Sequence, residues 1–370
     1  MSPPYSASFC VFCMCILGPF PAYAATNPAP LNLYGQVHKA LVALDDGQST
    51  EFAVVDNSVA STRIGLKGQK DINSAFTASF LLEMQVQDNP GFLMTQNTTV
   101  GSSPTPVNQN SPASFQTRHA RVGLGIPFGT FFLGRQSMAT DGVAEQDLAG
   151  VGYMMYSLTT DLAAGYRYRD LAGNLQESIG TLSTNLDGVR ANAVGFHTIK
   201  CNGLQGRFSV AQGGDADAAL FYSKSLKDVT LRAAGGLQWQ NDASSAATNT
   251  VDYTLSGSVS ARHTSGLGVT LAAGRQTLQN AVSGAQSPQF GYVKLGYSQE
   301  GYAFAVDYSQ SDDIERDNVS DESAVFGLGG QLNLTQSTVL TGMYRQFSAQ
   351  KAGQDYEPIN LFALGMLVRF

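Results

Sequence analysis

Residues that commonly carry enzyme chemistry are few and scattered in this chain. Only four of the 370 residues are histidines, and each is isolated from the others. The sequence contains no Gly-x-Ser-x-Gly motif, no Cys/His cluster and no phosphate-binding loop. The histidines are therefore expected to be strand or lumen residues: His38, His119, His197 and His263. The pattern favours a protein that is not an enzyme and that needs no cofactor or metal.

The cysteines fall mainly in an N-terminal targeting segment. Three of the four lie in the apolar stretch "FCVFCMCILG". Residues 22–24, "AYA", follow as the small-x-small cleavage pattern of a secretory signal, although no Lys or Arg precedes the apolar stretch. We expect a signal peptide at 1–24 and a single mature domain at 25–370. Only Cys201 then remains, so no internal disulfide is expected, and the C-x-x-C is not a redox or metal motif.

Composition excludes several classes of protein. Charged residues make up 14% of the chain, but the 20 Phe and 15 Tyr indicate a folded protein. No run approaches the roughly 18–20 consecutive apolar residues of a membrane-spanning helix. A net charge of −7 argues against a nucleic-acid partner, because phosphate binding requires a basic face.

The dominant pattern is a two-residue alternation of apolar and polar side chains. It is clear in "FTASFLLEMQVQ" (76–87), "VTLRAAGGLQWQ" (229–240) and "VDYTLSGSVSAR" (251–262). These segments are longer than the usual five or six residues of a globular strand, and they match the roughly 9–11 residues of a membrane-spanning strand. Their polar faces carry Ser, Thr and Gln, which suits a water-filled lumen.

Connections alternate between short turns and long polar loops, as in an antiparallel transmembrane β-barrel with short periplasmic turns and long extracellular loops. This all-β interpretation gives about sixteen strands, an even number that allows closure. The predicted strands are 31–44, 58–69, 75–87, 115–125, 129–135, 175–184, 188–199, 217–225, 229–240, 250–262, 267–279, 290–299, 301–310, 322–334, 337–348 and 359–370.

Several stretches resemble the trimeric general porins of Gram-negative outer membranes, most closely the proteobacterial family that includes the neisserial porins. These are "LNLYGQV" (31–37), "STRIGLKGQKDINSAF" (61–76), "RHARVGLGIPFGTFFLGRQS" (118–137) and the terminal "LVRF". The resemblance covers most of the mature chain and is weakest at 160–216. It implies a sixteen-stranded barrel whose third extracellular loop folds inward and narrows the channel. It also implies an outer-membrane location.

The resemblance further implies an inward loop at 136–163 whose acids face basic residues on the barrel wall. The loop acids would be Asp141, Glu145 and Asp147. Arg63 matches the second-strand wall arginine of the family, and Arg118 matches the fourth-strand one. For the sixth strand the nearest candidates are Arg167 and Arg169, which could instead lie at the end of the loop.

Physical chemistry limits where these arginines can lie. Arg63 stands between apolar neighbours in a strand, and on the lipid face it would cost about 2–4 kcal/mol, so we expect it in the lumen. Arg118 and Arg121 are three residues apart, so strict alternation cannot place both in the lumen. Either a β-bulge intervenes, or one of the two lies near a rim or a subunit interface. Opposed acids and arginines across a narrow gap would orient dipolar solutes and set ion preference.

The leading hypothesis is therefore passive diffusion of small hydrophilic solutes and ions through a homotrimeric channel. Alternatives are a solute-selective channel, an outer-membrane enzyme barrel or a secreted β-rich adhesin. The closing segment "LFALGMLVRF" should pair with the first strand, leaving no exposed sheet edge. By resemblance, Phe370 is the signal read by the barrel-assembly machinery, and the remaining partners are outer-membrane lipid and lipopolysaccharide.

Overall fold

Long β-strands form almost all of the regular structure in the computed structural model, which describes residues 30–96, 114–241 and 248–370. The expected signal peptide at 1–24 lies outside these ranges. The elements in chain order are β1 (Leu31–Asp45), β2 (Thr50–Asp56), β3 (Arg63–Asp71), β4 (Thr77–Gln87), a 3₁₀ turn (Gly91–Leu93), β5 (Ser114–Ile126), β6 (Gly129–Ser137), β7 (Arg167–Arg169), β8 (Leu175–Ser178), α1 (Ile179–Leu182), β9 (Arg190–Thr198), β10 (Leu204–Ala211), β11 (Ala216–Ser225), β12 (Val229–Trp239), β13 (Thr250–His263), β14 (Leu267–Gln279), β15 (Gln289–Ser298), β16 (Tyr302–Asp312), β17 (Asp321–Asn333), β18 (Thr338–Lys351), β19 (Gln354–Asp355) and β20 (Ile359–Arg369).

The sheet closes into a barrel, as the sequence predicts. Each wall strand pairs antiparallel with its neighbours, and β1 closes the ring against β20 from Gln36–Arg369 to Asp45–Asn360. The C-terminal half of β1 also pairs with β2, and its N-terminal half pairs with β3, so β2 and β3 together form one wall strand. The described residues therefore contain sixteen wall strands. Closure leaves no unpaired edge in the hydrocarbon layer.

The second wall strand is interrupted, which corrects the continuous strand predicted at 58–69. Residues 57–62 leave the ladder between β2 and β3. Within this break the Asn57 amide nitrogen lies 3.1 Å from His38 Nε2 and donates at 3.4 Å to the carbonyl of Tyr153. The interruption turns a polar side chain inward, where it meets the long connection that fills part of the barrel.

The strand predicted at 175–184 is wrong, and one wall strand was missed. Only Leu175–Ser178 is extended, and it pairs with β7 in a separate two-stranded sheet. α1 follows, and its fully buried Ile179 and Leu182 are three residues apart, a helical spacing. The missing wall strand is β10, which pairs with β9 and β11. The connection from β10 to β11, residues 212–215, is as short as a turn, so alternating loop lengths did not reveal it.

The two faces of the wall differ as expected for a membrane barrel. Apolar side chains point outward, such as Leu133 at 60% exposure and Leu364 at 67%. Ser, Thr and Gln side chains point inward and are largely covered. Within the described ranges, no helix is long and apolar enough to cross a membrane.

The connection between β6 and β9, residues 138–189, folds into the barrel and has its own apolar core. The segment 136–163 predicted as the inward loop covers only its first part. Buried side chains of the whole connection pack with inward apolar side chains of β1, β2, β18 and β20 in one cluster. Members of this cluster from the connection include Met154, Met155, Tyr166, Tyr168, Ile179 and Leu182. We call residues 138–189 the inner loop.

Candidate pore constriction

Hydrogen bonds to the carboxylate of Asp217, on β11, hold the beginning of the inner loop. This side chain is 3% exposed. It accepts hydrogen bonds from the backbone N–H groups of Ala139 (3.1 Å) and Thr140 (2.8 Å) and from the Thr140 hydroxyl (2.6 Å). Charge-assisted bonds to backbone donors are stronger than neutral ones. The loop is thereby turned into the barrel immediately after β6.

Two inward hydroxyl groups of β13 continue the attachment. Ser258 Oγ on β13 accepts from the Gln146 N–H at 2.9 Å and donates to the Val143 carbonyl at 2.5 Å. Ser260 accepts from the Leu148 N–H at 2.9 Å. These bonds satisfy loop backbone groups that would otherwise be buried without partners, so the loop lies against this side of the wall.

Asp147, one of the predicted constriction acids, forms a buried ion pair with the wall. Its carboxylate accepts from Lys294 Nζ on β15 and from the Thr270 hydroxyl on β14, each at 2.6 Å. Lys294 is fully buried and also donates to the Met155 carbonyl at 2.7 Å. Lys294 therefore neutralises Asp147, which anchors the loop and contributes no net charge to the lumen.

A second buried ion pair supports the next part of the loop. Arg345 on β18 pairs with Asp307 on β16 at 2.7 Å, and its other terminal nitrogen donates to the Thr159 carbonyl. Tyr292 donates to the same Asp307 carboxylate at 3.1 Å. Polar side chains of β11 and β13–β18 bind the loop, and apolar side chains of β1, β2 and β20 pack on it, so the open part of the lumen borders β3–β6, β9, β10 and the periplasmic half of β11.

Arg63 and Arg118 lie on that open side and share one carboxylate. Glu83 on β4 lies 2.7 Å from Arg118 Nε and 3.8 Å from Arg63 Nε. The Tyr34 hydroxyl donates to the same carboxylate at 2.8 Å, and Arg118 also donates to the Gln85 side chain at 3.1 Å. Two guanidinium groups therefore face one acid. Both arginines lie on the lumen face.

A β-bulge accounts for the three-residue spacing of Arg118 and Arg121. In the β4–β5 ladder Glu83 pairs with His119, while the next residue, Met84, pairs with Thr117. Arg118 is therefore the extra residue of the bulge, and alternation restarts after it. As a result Arg118 contacts Glu83 in the lumen, and Arg121 also faces inward, where its guanidinium lies over the Phe132 ring. Of the two explanations left open by the sequence, the bulge is the one present.

Arg167 and Arg169 are not on the barrel wall, which corrects their assignment there. Both belong to β7 inside the inner loop, the alternative that the sequence left open. Arg167 donates at 3.1 Å to the Leu175 carbonyl of the same loop. Arg169 forms an ion pair with Asp46, at 2.6 Å, near the extracellular rim of the barrel. Residues 175–184 do not form the wall strand that would have followed the two arginines, so both arginines lie inside the barrel instead of on its wall.

The arginine of the sixth wall strand is Arg190, which sequence reasoning missed. It begins β9 and lies 3.5 Å from the carboxylate of Asp141, the first predicted loop acid. A signal was available, because Arg190 falls within the strand predicted at 188–199. Arg190 thus joins Arg63 and Arg118 on the open side, and Asp141 is the loop acid brought closest to them.

Asp187 and Glu145 form an acidic cluster inside the inner loop. The Asp187 carboxylate accepts from the N–H groups of Gly142 (2.6 Å) and Ala144 (2.8 Å), joining the two ends of the loop. Burial raises the pKa of Asp187 to about 7, opposed by these hydrogen bonds and assisted by Asp141. Burial, then Asp187 and Asp141, raise the pKa of Glu145 well above its usual range. Asp187 therefore gains or loses its proton near neutral pH.

The geometry as a whole defines a transmembrane channel protein. A closed barrel of sixteen long strands has an apolar exterior and a polar interior, and a folded loop lies against the inner wall. Within the described ranges, no group of three His, Cys, Asp or Glu side chains is arranged to hold a metal ion. The class is that of the outer-membrane β-barrel channels.

Comparison with known proteins narrows this class to a family. The model of the family described as Gram-negative porin matches residues 11–352. The chain belongs to this family, and it is therefore a passive channel of the outer membrane. Family and fold together indicate a non-enzymatic channel.

Solved structures with the same fold share little sequence with this chain. The anion-selective porin from Comamonas acidovorans is 17% identical, with 93% of this chain and 100% of that chain covered and a TM-score of 0.60. The outer membrane channel DcaP of Acinetobacter baumannii is 11% identical, covering 96% and 100%, also with a TM-score of 0.60. The trimer form of OmpT, an outer membrane protein of Vibrio cholerae, is 15% identical, covering 93% and 100%, with a TM-score of 0.56. No curated protein matches the chain.

Proposed function

We propose that small hydrophilic solutes and ions cross this channel through a constriction between the inner loop and the arginines of the open wall. The observation that carries the proposal is the position of Arg63, Arg118 and Arg190 on the second, fourth and sixth wall strands, facing the open part of the lumen. Asp141 on the loop faces Arg190 at 3.5 Å. Such an arrangement produces a transverse electric field, which orients dipolar solutes without a chemical step.

The balance of charge supports a preference for anions. Arg63 and Arg118 share Glu83, so one positive charge remains uncompensated there. Across the gap, Lys294 neutralises Asp147, and burial keeps Asp187 partly protonated near neutral pH. The solved structure from Comamonas acidovorans is described as anion-selective. We therefore propose that chloride crosses this channel more readily than potassium.

The proposed partners follow from the same family. We propose a homotrimer, which the trimer form of the Vibrio cholerae protein supports by its fold. Outer-membrane lipid, lipopolysaccharide and the barrel-assembly machinery, through Phe370, remain the further proposed partners. We also propose that the chain catalyses no reaction, because its family and its fold are those of channels.

Reconstitution in a planar lipid bilayer tests the proposal. The refolded protein should insert as steps of ionic current in groups of three, and a salt gradient should give a reversal potential of the sign expected for anion preference. Arg63→Gln and Arg190→Gln should each shift that potential toward cations. The control is Arg262→Gln, because Arg262 lies on the lumen face of β13 near its periplasmic end, away from the constriction. A correctly folded barrel with no current, or equal shifts in all three variants, would contradict the proposal.

A further inference from the structure

A continuous set of aromatic and cationic side chains lines the lumen on the periplasmic side of the constriction. It extends over β5, β6, β9, β10 and β11, the wall strands beside the open part of the lumen. We call this set the ring–guanidinium track; it consists of Arg121, Phe132, His197, Arg207 and Phe221. The constriction described above uses none of these side chains.

The members of the track contact one another in sequence around the wall. The Arg121 guanidinium carbon lies 4.2 Å from the centre of the Phe132 ring, and that of Arg207 lies 3.7 Å from the centre of the Phe221 ring. The His197 ring meets the Phe132 ring edge to face, with centres 4.9 Å apart. His197 also pairs directly with Arg207 in the β9–β10 ladder.

The two guanidinium groups of the track lack acidic partners. Among the described residues, neither Arg121 nor Arg207 lies within ion-pair distance of a carboxylate. Arg121 donates only to the Gln136 side chain at 3.4 Å, and Arg207 Nε donates to the Gln205 side chain at 3.2 Å. An arginine presents five N–H donors in the plane of its guanidinium group. Stacking on a ring uses the face of that group, so most of the in-plane donors remain available to a solute.

Space for a solute adjoins the track. A cavity of about 550 Å³ at the periplasmic mouth is lined by Phe132, His197 and Gln205. A second cavity of about 550 Å³ adjoins Arg121 and the same phenyl ring. Each of the five side chains of the track is partly exposed rather than buried. A solute that leaves the constriction therefore meets aromatic surfaces and free N–H donors together.

We infer that the ring–guanidinium track is a binding subsite for aromatic carboxylates. Arginine N–H donors match a carboxylate in bidentate geometry, and the rings of Phe132, His197 and Phe221 can stack a planar apolar body. An inorganic anion would contact only the guanidinium groups and not the rings. A neutral sugar would leave the charge of the guanidinium groups uncompensated. The inference rests on the proposed channel function and specifies its solute class.

Competition with the chloride current tests the subsite. The full-length channel is reconstituted in a planar bilayer, and benzoate is titrated at constant ionic strength while the chloride conductance is recorded. Acetate and cyclohexanecarboxylate serve as comparison anions that lack an aromatic ring. We expect benzoate to reduce the current at concentrations several-fold lower than either comparison anion, because only benzoate combines charge with a stacking face.

Two matched variants assign the effect to the track. Phe132→Leu should weaken the block by benzoate roughly two- to tenfold, the range of one aromatic–aromatic contact. Phe131→Leu is the control, since the neighbouring Phe131 side chain lies on the lipid face. Arg121→Gln should weaken the block by benzoate and by acetate alike, because it removes charge rather than an aromatic ring.

The outcomes separate this inference from the proposed function. Equal block by benzoate and cyclohexanecarboxylate, or an unchanged block in Phe132→Leu, would overturn the subsite while leaving the channel intact. The absence of chloride current in the unsubstituted protein would instead refute the proposed function. Chloride conductance of each variant, recorded before benzoate is added, verifies that the variant has folded.

Discussion

Replacing Lys294 with methionine should release the middle of the inner loop while leaving the barrel intact. The ammonium group of Lys294 is fully buried and donates to the Asp147 carboxylate at 2.6 Å and to the Met155 carbonyl at 2.7 Å. Methionine keeps most of the length and apolar volume of lysine. The substitution therefore removes the charge and both hydrogen bonds, and it introduces little steric change.

The expected cost follows from the partners that remain. Removing one member of a buried ion pair typically costs about 3–5 kcal/mol. Asp147 keeps the hydrogen bond from Thr270 and is 12% exposed, which places Lys294→Met at the low end, about 3 kcal/mol. At about 1.4 kcal/mol per factor of ten, the detached state of this part of the loop becomes roughly a hundredfold more populated. Asp217 and Arg345 still hold the two flanking parts.

Single-channel recording is the assay. The unsubstituted channel should show steady current, and Lys294→Met should show more frequent fluctuations or a raised mean conductance. Asp147→Asn should have a smaller effect, because the asparagine side chain still accepts hydrogen bonds. The double variant Lys294→Met/Asp147→Leu should restore part of the steady current, since no buried charge is left unpaired.

Thermal unfolding separates loop release from barrel damage. All three variants should keep the unfolding temperature of the barrel within a few degrees, because the antiparallel ladders of the wall are unchanged. Steady, unaltered current in Lys294→Met would refute the conclusion that this ion pair holds the loop. A variant that never forms a heat-resistant barrel would show that Lys294 acts on the wall itself.

Two further predictions concern loop charge and barrel closure. The pKa of Asp187 is about 7 in the folded protein, far above the ordinary value of 3.8, so this carboxyl gains a proton as the pH falls from 8 to 5. The folded loop then binds more protons than the unfolded chain, so its docking strengthens toward low pH and weakens as the pH rises through 7. Because the loop also loses negative charge, the anion preference of the channel should increase at low pH. This increase should be smaller in Asp187→Asn. Gly35→Ala should lower the yield of heat-resistant barrel at a cost of about 1–3 kcal/mol, because a Cβ there would lie 2.4 Å from the Phe370 ring. Gly291→Ala, where a Cβ meets nothing within 4 Å, is the control and should fold normally; equal yields of the two variants would contradict this account of closure.

Sequence alone predicted the barrel well because its rules are local. Side chains of a strand alternate between two environments, so lipid-facing and lumen-facing residues can be assigned from a single segment. The count of sixteen was correct even though one member was misplaced. In residues 175–184 the apolar Leu175, Ile179 and Leu182 are spaced by four and three, which is a helical rather than an alternating spacing, and Ile179 and Leu182 lie in a one-turn helix inside the barrel.

The site was harder to predict because it depends on departures from those rules. The bulge at Arg118 cannot be read from composition, since it is defined by a shift in pairing with β4. Arg190 was overlooked because its role depends on which strand is sixth, and that count failed in the same region. The neutralisation of Asp147 requires Lys294, which lies 147 residues further along the chain. Such pairings come from barrel topology.

The attachment of the inner loop also constrains the order of assembly. The polar groups that hold its first part lie later in the chain than the loop itself, on β11 (Asp217), on β13–β15 and on β18 (Arg345), whereas part of its apolar support comes from the earlier β1 and β2. A polypeptide that has inserted only its first six wall strands therefore lacks these polar anchors and part of the apolar surface on which the loop packs. Complete docking of the loop therefore has to wait until the C-terminal half of the barrel has formed. The final width of the pore is thus set late in assembly. A barrel that has not inserted its C-terminal strands would let solutes pass without selection.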